Sequence, residues 1–195
     1  WFTYLPGAGH EGVLVDSGPD APDGSGWGPM FSAIGSVSRD PCNVDAGTYD
    51  PEEVDTASEL AAAIAAWPGF ESSEPAEVVV DGEIRADATR GLLVEVTSSG
   101  TEAECPSPVI WTTPAGSPVD AYPMIGAPDV RRAATFRILE VGDKLLVIRT
   151  TDFGDPSPFE ASQGVAPDPN RHAADLVELE AIVDSIRLEP WPAQQ

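Results

Sequence analysis

The chain has 195 residues, of which 42% are hydrophobic and 22% are charged. These values are typical of globular proteins, and the length suits one hydrophobic core, so intrinsic disorder is disfavoured. The 33 acidic residues outweigh 10 Lys and Arg, giving a net charge of -23. Such a charge repels nucleic acids and anionic lipid head groups. We therefore expect no nucleic-acid partner, and we interpret the acidity as a solvated surface rather than a site for a specific cationic partner.

One domain is expected over residues 1–195, with N-terminal strands and a loop in 1–40, a core in 41–188 and a tail in 189–195. No stretch approaches the roughly 20 consecutive apolar residues that span a bilayer, so no transmembrane segment is predicted. The chain opens at Trp1 rather than Met. We interpret this start as that of a mature or truncated product.

The two cysteines, Cys42 and Cys105, lie 63 positions apart. They form no CxxC motif and have no paired histidines at ligand spacing, so the pattern favours neither a zinc site nor a dithiol redox motif. We predict a structural disulfide between them, which is typical of oxidising compartments. The alternative is a pair of buried free thiols in a cytosolic protein. The disulfide favours an extracellular or cell-envelope location.

The N-terminal part of the chain contains short β-like runs separated by Gly and Pro. We predict strands at 1–5 and 13–15, a loop over 16–29, a strand over 30–37 and an acidic loop over 43–55. These elements surround the first cysteine and lead into the first helix.

A helix is predicted over residues 56–67. Thr56 and Glu59 form a T-x-x-E capping box, in which each side chain can bond a free backbone N–H at the helix start. One apolar stripe has the spacing i, i+4 and i+7: Leu60, Ile64 and Trp67. Pro68 and Gly69 end the helix.

Turn dipeptides predict two β-hairpins. Asp81-Gly82 joins strands at 77–80 and 83–86, and Gly142-Asp143 joins strands at 134–141 and 144–151. Further strands are predicted at 92–96 and 109–113, and the run 145–148 does not alternate in polarity. A strand of this kind has both faces covered, so helices are expected on both sides of the sheet.

The last helix is predicted over residues 171–186, because an apolar stripe recurs at helical spacing there. Its members are Leu176, Leu179, Val183 and Ile186. A short edge strand is predicted at 186–188. Together the elements predict an α+β fold, with one mostly antiparallel sheet of about five to seven strands flanked by two helices.

The order of these motifs resembles a known architecture. A capped helix ends in Trp-Pro-Gly-Phe at 67–70, a Val-Val-Val-Asp-Gly turn follows at 78–82, and Phe-Arg-Ile-Leu at 136–139 and Leu-Glu-Ala-Ile-Val-Asp-Ser-Ile at 179–186 complete the series. Over about residues 41–188 the chain is similar to the Mog1/PsbP-like α/β/α sandwich and looks like actinobacterial secreted or lipoprotein-type ectodomains. The resemblance implies a partner-binding role without catalysis and identifies no functional residues.

No catalytic residues are assigned. No serine lies in a G-x-S-x-G nucleophile elbow, and a Ser-His or Cys-His pair would have to use His10, in a predicted surface loop, or His172, in the first turn of the last helix. We expect His172 to be solvated. The alternating glycines at 24, 26 and 28 lack the Lys-Ser/Thr of a P-loop, so no cofactor is expected.

Two acid-rich loops are the candidates for calcium, which prefers several oxygen ligands on a flexible loop. The first set is Asp16, Asp20 and Asp23 with Gly24, and the second is Asp45, Asp50, Glu52, Glu53 and Asp55. Neither fits the EF-hand pattern, and both are also explained as turn residues and acids at helix starts, so no metal site is assigned. Trp27, between glycines, is either an exposed platform for a sugar or partner, or a plug at the core edge.

The sequence therefore predicts a non-enzymatic, extracytoplasmic interaction or accessory domain that docks on a cell-envelope or membrane-associated protein partner through its sheet edge or loops. The alternative is a calcium- or carbohydrate-binding secreted protein.

Overall fold

The structure is a computed structural model. It describes residues 12–14, 30–80, 89–98, 105, 109–112, 116, 118–120, 132–141, 144–152, 164 and 166–184. The strands predicted at 1–5, 83–86 and 186–188, and the loop predicted over 16–29, lie outside these residues.

Eleven strands and two α-helices are present in the described part of the chain. The strands are β1 Gly12–Leu14, β2 Met30–Ala33, β3 Ser36–Ser38, β4 Thr48–Tyr49, β5 Phe70–Ser72, β6 Ala76–Val80, β7 Thr89–Ser98, β8 Val109–Thr112, β9 Pro118–Asp120, β10 Arg132–Val141 and β11 Lys144–Asp152. The helices are α1 Ala57–Ala65 and α2 Pro169–Asp184. Two short 3-10 turns, Val44–Ala46 and Pro51–Glu53, flank β4.

The strands form two antiparallel sheets. The large sheet has seven strands in the order β1-β2-β11-β10-β7, with β5 and β6 both pairing along the outer side of β7. The small sheet has four strands in the order β4-β3-β8-β9. The predicted α+β class is confirmed, and the predicted strand count matches the large sheet, but the small sheet was not anticipated.

The strand predicted over 30–37 is two strands, which belong to different sheets. β2 pairs with β11 in the large sheet, and β3 pairs with β8 in the small one. The break falls at Gly35, whose N–H donates to the carbonyl of Thr112 at 2.8 Å. This bond directs the chain into the second sheet, which a run of β-favouring residues could not indicate.

The capping box predicted for α1 is present. Thr56 Oγ1 accepts from the backbone N–H of Glu59, and Glu59 Oε2 accepts from that of Thr56, both at 3.2 Å. Leu60 and Ile64, predicted to face the core, are fully buried. The helix starts as predicted and ends at Ala65, one turn ahead of Gly69.

Three aromatic rings join α1 and the two sheets on one face of the large sheet. Phe136 of β10 makes edge-to-face contacts with Trp67, just after α1, at 5.8 Å, and with Trp111 of β8 at 5.7 Å between ring centroids. Trp67 Nε1 also donates to the carbonyl of Ser38 in β3 at 2.9 Å. The core therefore lies between the large sheet on one side and α1 with the small sheet on the other.

A β-bulge in β8 helps to form this core. The pairing of β8 with β9 shifts register between Val109 and Trp111. In a regular strand Ile110 and Trp111 would point to opposite faces, yet both are completely buried within the core cluster. The irregular pairing at this point accompanies the burial of two large side chains from adjacent positions.

The opposite face of the large sheet is covered by α2. Arg137 of β10 forms an ion pair with Glu180, and Asp152 of β11 contacts His172 Nε2 at 3.3 Å. The strand register places Arg137 and Ile148 on this face and Val147 on the core face. Val147 and Ile148 are both fully buried, as the non-alternating run at 145–148 predicted.

The two predicted hairpins have different outcomes. β10 and β11 are joined by a two-residue connection, with Val141 opposite Lys144, as predicted. β6 begins the other hairpin, but it pairs with β7, so that Val80 lies opposite Thr89. The partner strand is therefore the one predicted at 92–96, extended to Thr89–Ser98.

The outer edge of the large sheet is an interrupted strand. β5 and β6 pair with the same strand in registers that differ by one residue, with Phe70 opposite Ser98 and Ala76 opposite Leu93. Ser73 bridges the break, because its N–H donates to the carbonyl of Glu95 at 2.8 Å. Pro75 lies in the interruption, and exposed glutamates flank it at positions 71, 74 and 77. Irregularity, proline and charge all oppose pairing with another strand.

The predicted disulfide is present between Cys42 and Cys105, with the Cα atoms 4.6 Å apart. Cys42 follows β3 and Cys105 precedes β8, and these two strands are paired in the small sheet. The N–H of Val109 donates to the carbonyl of Pro41 at 3.0 Å, next to the bond. The 63-residue loop that the disulfide closes contains α1 and β5 to β7.

Gly91 in β7 offers a direct test of packing on the α2 face. A Cβ at this position would lie 2.5 Å from Leu139 Cδ2 and would also collide with the backbone carbonyl of Ile138. We expect Gly91→Ala to lower the free energy of unfolding by about 1–3 kcal/mol, as overpacked positions do. Urea denaturation measures the change. Glu95→Ala, an exposed change on the same strand, should stay within about 0.5 kcal/mol; equal effects would contradict the steric account.

Candidate functional site

The described surface feature with the strongest charge is the acidic segment, defined as residues 40–59. It runs from the end of β3 through Cys42, both 3-10 turns and β4 into α1. It contains seven carboxylates and no Lys or Arg: Asp40, Asp45, Asp50, Glu52, Glu53, Asp55 and Glu59. Most of the side chains from Asn43 to Glu53 are exposed, and Val44 is 70% exposed.

Local hydrogen bonds fix the backbone of the acidic segment. Asp40 Oδ1 accepts from the N–H of Cys42 at 2.9 Å, and Asn43 Oδ1 accepts from that of Asp45 at 3.1 Å. Both are short-range side-chain bonds that mimic a backbone turn. The N–H of Asp50 donates to Glu53 Oε2 at 2.8 Å. The segment is therefore exposed but ordered, with several of its acids bonded to its own backbone.

Arg39 braces the acidic segment from the end of β3. Its Nη2 donates to both carboxylate oxygens of Glu53, at 3.1 and 2.8 Å, and its Nε donates to the carbonyl of Thr48 at 3.1 Å. The guanidinium carbon lies 4.1 Å from the centre of the Tyr49 ring, a cation–π contact. The backbone N–H of Asp50, and then Arg39, hold the pKa of Glu53 below its usual value.

A pair of carboxyl groups marks the end of the acidic segment at α1. A hydrogen bond to Glu59 and the charge of Glu59 raise the pKa of Asp55, while hydrogen bonds from Thr56 and Asp55 lower that of Glu59. Asp55 is therefore the member of the pair that retains a proton to higher pH. Glu140 of β10 approaches from the large sheet, and its Oε1 accepts from the N–H of Ala57 at 2.9 Å.

The calcium candidates can be tested in part. Within the described ranges, no group of three or more His, Cys, Asp or Glu side chains is placed to hold a metal ion. The second candidate set lies within these ranges. In that set, Glu53 bonds Arg39 and the backbone N–H of Asp50, and Asp55 interacts with Glu59. The structure does not bring that set together as ligands. The first set, Asp16, Asp20 and Asp23 with Gly24, lies outside the described residues.

His172 lies in the first turn of α2, as predicted, but it is less solvated than expected. Its side chain is 19% exposed, and it pairs with Asp152 of β11 because α2 packs this turn against the sheet. His10, Trp27 and the glycines at 24, 26 and 28 fall outside the described part of the chain. Their roles remain predictions.

Sequence reasoning missed Arg39 and Glu140. Arg39 directly precedes the segment 40–59, which contains seven acids and no Lys or Arg. Its position next to these acids could have indicated an ion pair with one of them. Glu140 had no such signal, because its bond to Ala57 spans 83 residues. Its role becomes visible only when β10 and α1 are packed together.

The comparisons with known proteins identify no relative. No family model matches the chain, and searches of curated proteins and of solved structures gave no significant match. The resemblance to Mog1/PsbP-like sandwiches therefore stays a prediction. Neither of the helices in the described part of the chain is long and apolar enough to cross a membrane.

The contact between Arg39 and Glu53 is testable through the titration of Glu53. Arg39→Gln should raise the pKa of Glu53 towards 4.5, because the charged partner is lost. A lowered folded-state pKa stabilises the fold above the unfolded pKa, and this contribution is lost as pH falls through the folded pKa. The variant should therefore lose less stability than the parent chain as pH falls below the ordinary pKa of a glutamate.

Carboxyl NMR titration measures the change at Glu53, and Glu59 is the internal control. The groups that lower the pKa of Glu59 are Thr56 and Asp55, which the substitution leaves in place. An unchanged titration of Glu53, or equal shifts at Glu53 and Glu59, would contradict the assigned contact.

Proposed function

We propose that this protein is a non-enzymatic, extracytoplasmic interaction domain, which docks on a cell-envelope or membrane-associated protein through the acidic segment. The observation that carries the proposal is that the segment is exposed while the disulfide and Arg39 constrain its backbone. Binding residues lie disproportionately on loops that a rigid scaffold positions. A loop that is already ordered also loses less entropy when a partner binds.

Two of the sheet edges, those formed by β5 with β6 and by β4, favour docking through side chains over docking by strand addition. The outer edge formed by β5 and β6 is interrupted at Ser73 to Pro75 and carries exposed glutamates. At the β4 edge of the small sheet, the carbonyl of Thr48 already accepts from Arg39. Of the two routes expected from the sequence, sheet edge or loops, we therefore propose the loop. For residues 40–59 this proposal replaces the expectation that the acidity serves only as a solvated surface.

The disulfide supports the proposed location. Structural disulfides persist in oxidising compartments such as the cell surface and the periplasm, and both cysteines of the chain are used in this bond. The bond anchors the start of the acidic segment to the strand that follows Cys105. The feature that indicates an extracytoplasmic setting therefore also shapes the proposed docking surface.

Site-specific photo-crosslinking tests the proposal. A photoreactive amino acid is placed at position 45 in the acidic segment or at position 177 on α2, two exposed sites on different elements. The protein is expressed in its native cells, and crosslinked products are identified by mass spectrometry. We expect one reproducible envelope protein from position 45 and none from position 177. The same products from both positions, or none from position 45, would contradict docking through this segment.

A charge variant then tests the contact with the captured protein. Asp45→Asn with Glu52→Gln removes two exposed charges whose carboxylates carry none of the hydrogen bonds described above. We expect binding to weaken by about three- to tenfold, since each exposed ion pair contributes up to about 1 kcal/mol. Glu178→Gln on α2 is the matched control. Unchanged affinity in the double variant would remove the acidic segment from the interface.

A further inference from the structure

The two helices contact the large sheet in different ways. Both faces of β10 and β11 carry polar and apolar residues: the core face has Phe136 and Val147 beside Arg149 and Thr151, and the face under α2 has Leu139 and Ile148 beside Thr135 and Thr150. The ion pair of Arg137 with Glu180 and the contact of Asp152 with His172 join α2 to the sheet. In contrast, α1 buries apolar side chains in the core, so the attraction of α2 to the sheet depends more on polar contacts than that of α1.

α2 is also less buried than α1. Five of the nine residues of α1 are buried, whereas Leu179 and Val183 are the buried ones among the described side chains of the 16-residue α2. Val177 is 70% exposed. Elements with few buried apolar side chains open at lower free energies than the core does.

Arg137 is incompletely satisfied while α2 is in place. Its side chain is only 5% exposed, and its Nη2 donates to Glu180, whose side chain is 54% exposed. Its Nη1 is buried without a hydrogen-bond partner in the described structure. Leaving a buried donor unpaired is unfavourable, so exposure of Arg137 to water would recover part of the free energy lost when α2 separates from the sheet.

We infer that α2 is a cover that lifts from the large sheet as a local unit, exposing Arg137, Leu139 and Ile148 while α1 and the core stay folded. The inference concerns the face opposite α1 and does not depend on the proposed role of the acidic segment.

Native-state hydrogen exchange of the full chain, followed by NMR, tests the inference. We expect the amides of Leu179 and Val183 to exchange at least tenfold faster than those of Leu60 and Ile64, with little dependence on low urea concentrations. Glu180→Gln should speed exchange in α2 a further several-fold and leave α1 unchanged, because it removes the charged partner of Arg137.

Glu178→Gln, which removes the same charge from an exposed position of α2, is the control. Equal exchange rates with equal urea dependence in the two helices would overturn the inference, since both would then open only by global unfolding. The inference would also be overturned if Glu180→Gln sped exchange in α2 no more than Glu178→Gln does. The ion pair of Glu180 with Arg137 would then not be what keeps α2 on the sheet.

Discussion

The structure depends on the contact of Phe136 with Trp67 and Trp111. Phe136 belongs to the large sheet, Trp111 to the small sheet, and Trp67 follows α1, so the three rings join every layer on that face. Aromatic pairs in edge-to-face geometry add about 0.5–1.5 kcal/mol to their burial. Because the chain passes between the sheets repeatedly, each sheet alone would leave part of this cluster exposed. The rings therefore hold in place the scaffold from which the acidic segment projects.

The disulfide constrains a segment that makes few contacts with the core. Before α1, the acidic segment reaches the core cluster through Val54, which is buried in it, and Tyr49, which packs against it. The rest of the segment is held by Cys42, by Arg39 bonded to Glu53, and by bonds between its acids and its own backbone. These are polar and covalent constraints on an exposed loop, and we interpret their concentration as the requirement of a recognition surface. The blocked strand edge formed by β5 and β6 fits the same interpretation.

Features set by neighbouring residues could be predicted from the sequence, and features set by distant residues could not. The capping box of Thr56 and the two-residue connection after Val141 were predicted because turns and caps depend on local chemistry. The division at Gly35 depends on a bond to Thr112, and the register of β6 depends on β7. For the candidate site, the sequence predicted the disulfide and the acidic loop. It did not predict the bonds of Arg39 to Thr48 and Glu53, because they depend on the geometry of β3 and β4.

The most direct measurement is amide exchange over residues 40–55 in the parent chain and in the Cys42→Ser/Cys105→Ser variant. Closing a 63-residue loop stabilises a fold by roughly 4 kcal/mol in the chain-entropy model. If the disulfide orders the acidic segment, exchange there should accelerate at least tenfold through local opening that depends little on low urea concentrations, whereas faster exchange in β10 and β11 reports the global loss of stability. Exchange over residues 40–55 that is unchanged, or that has the same urea dependence as exchange in β10 and β11, would contradict the account.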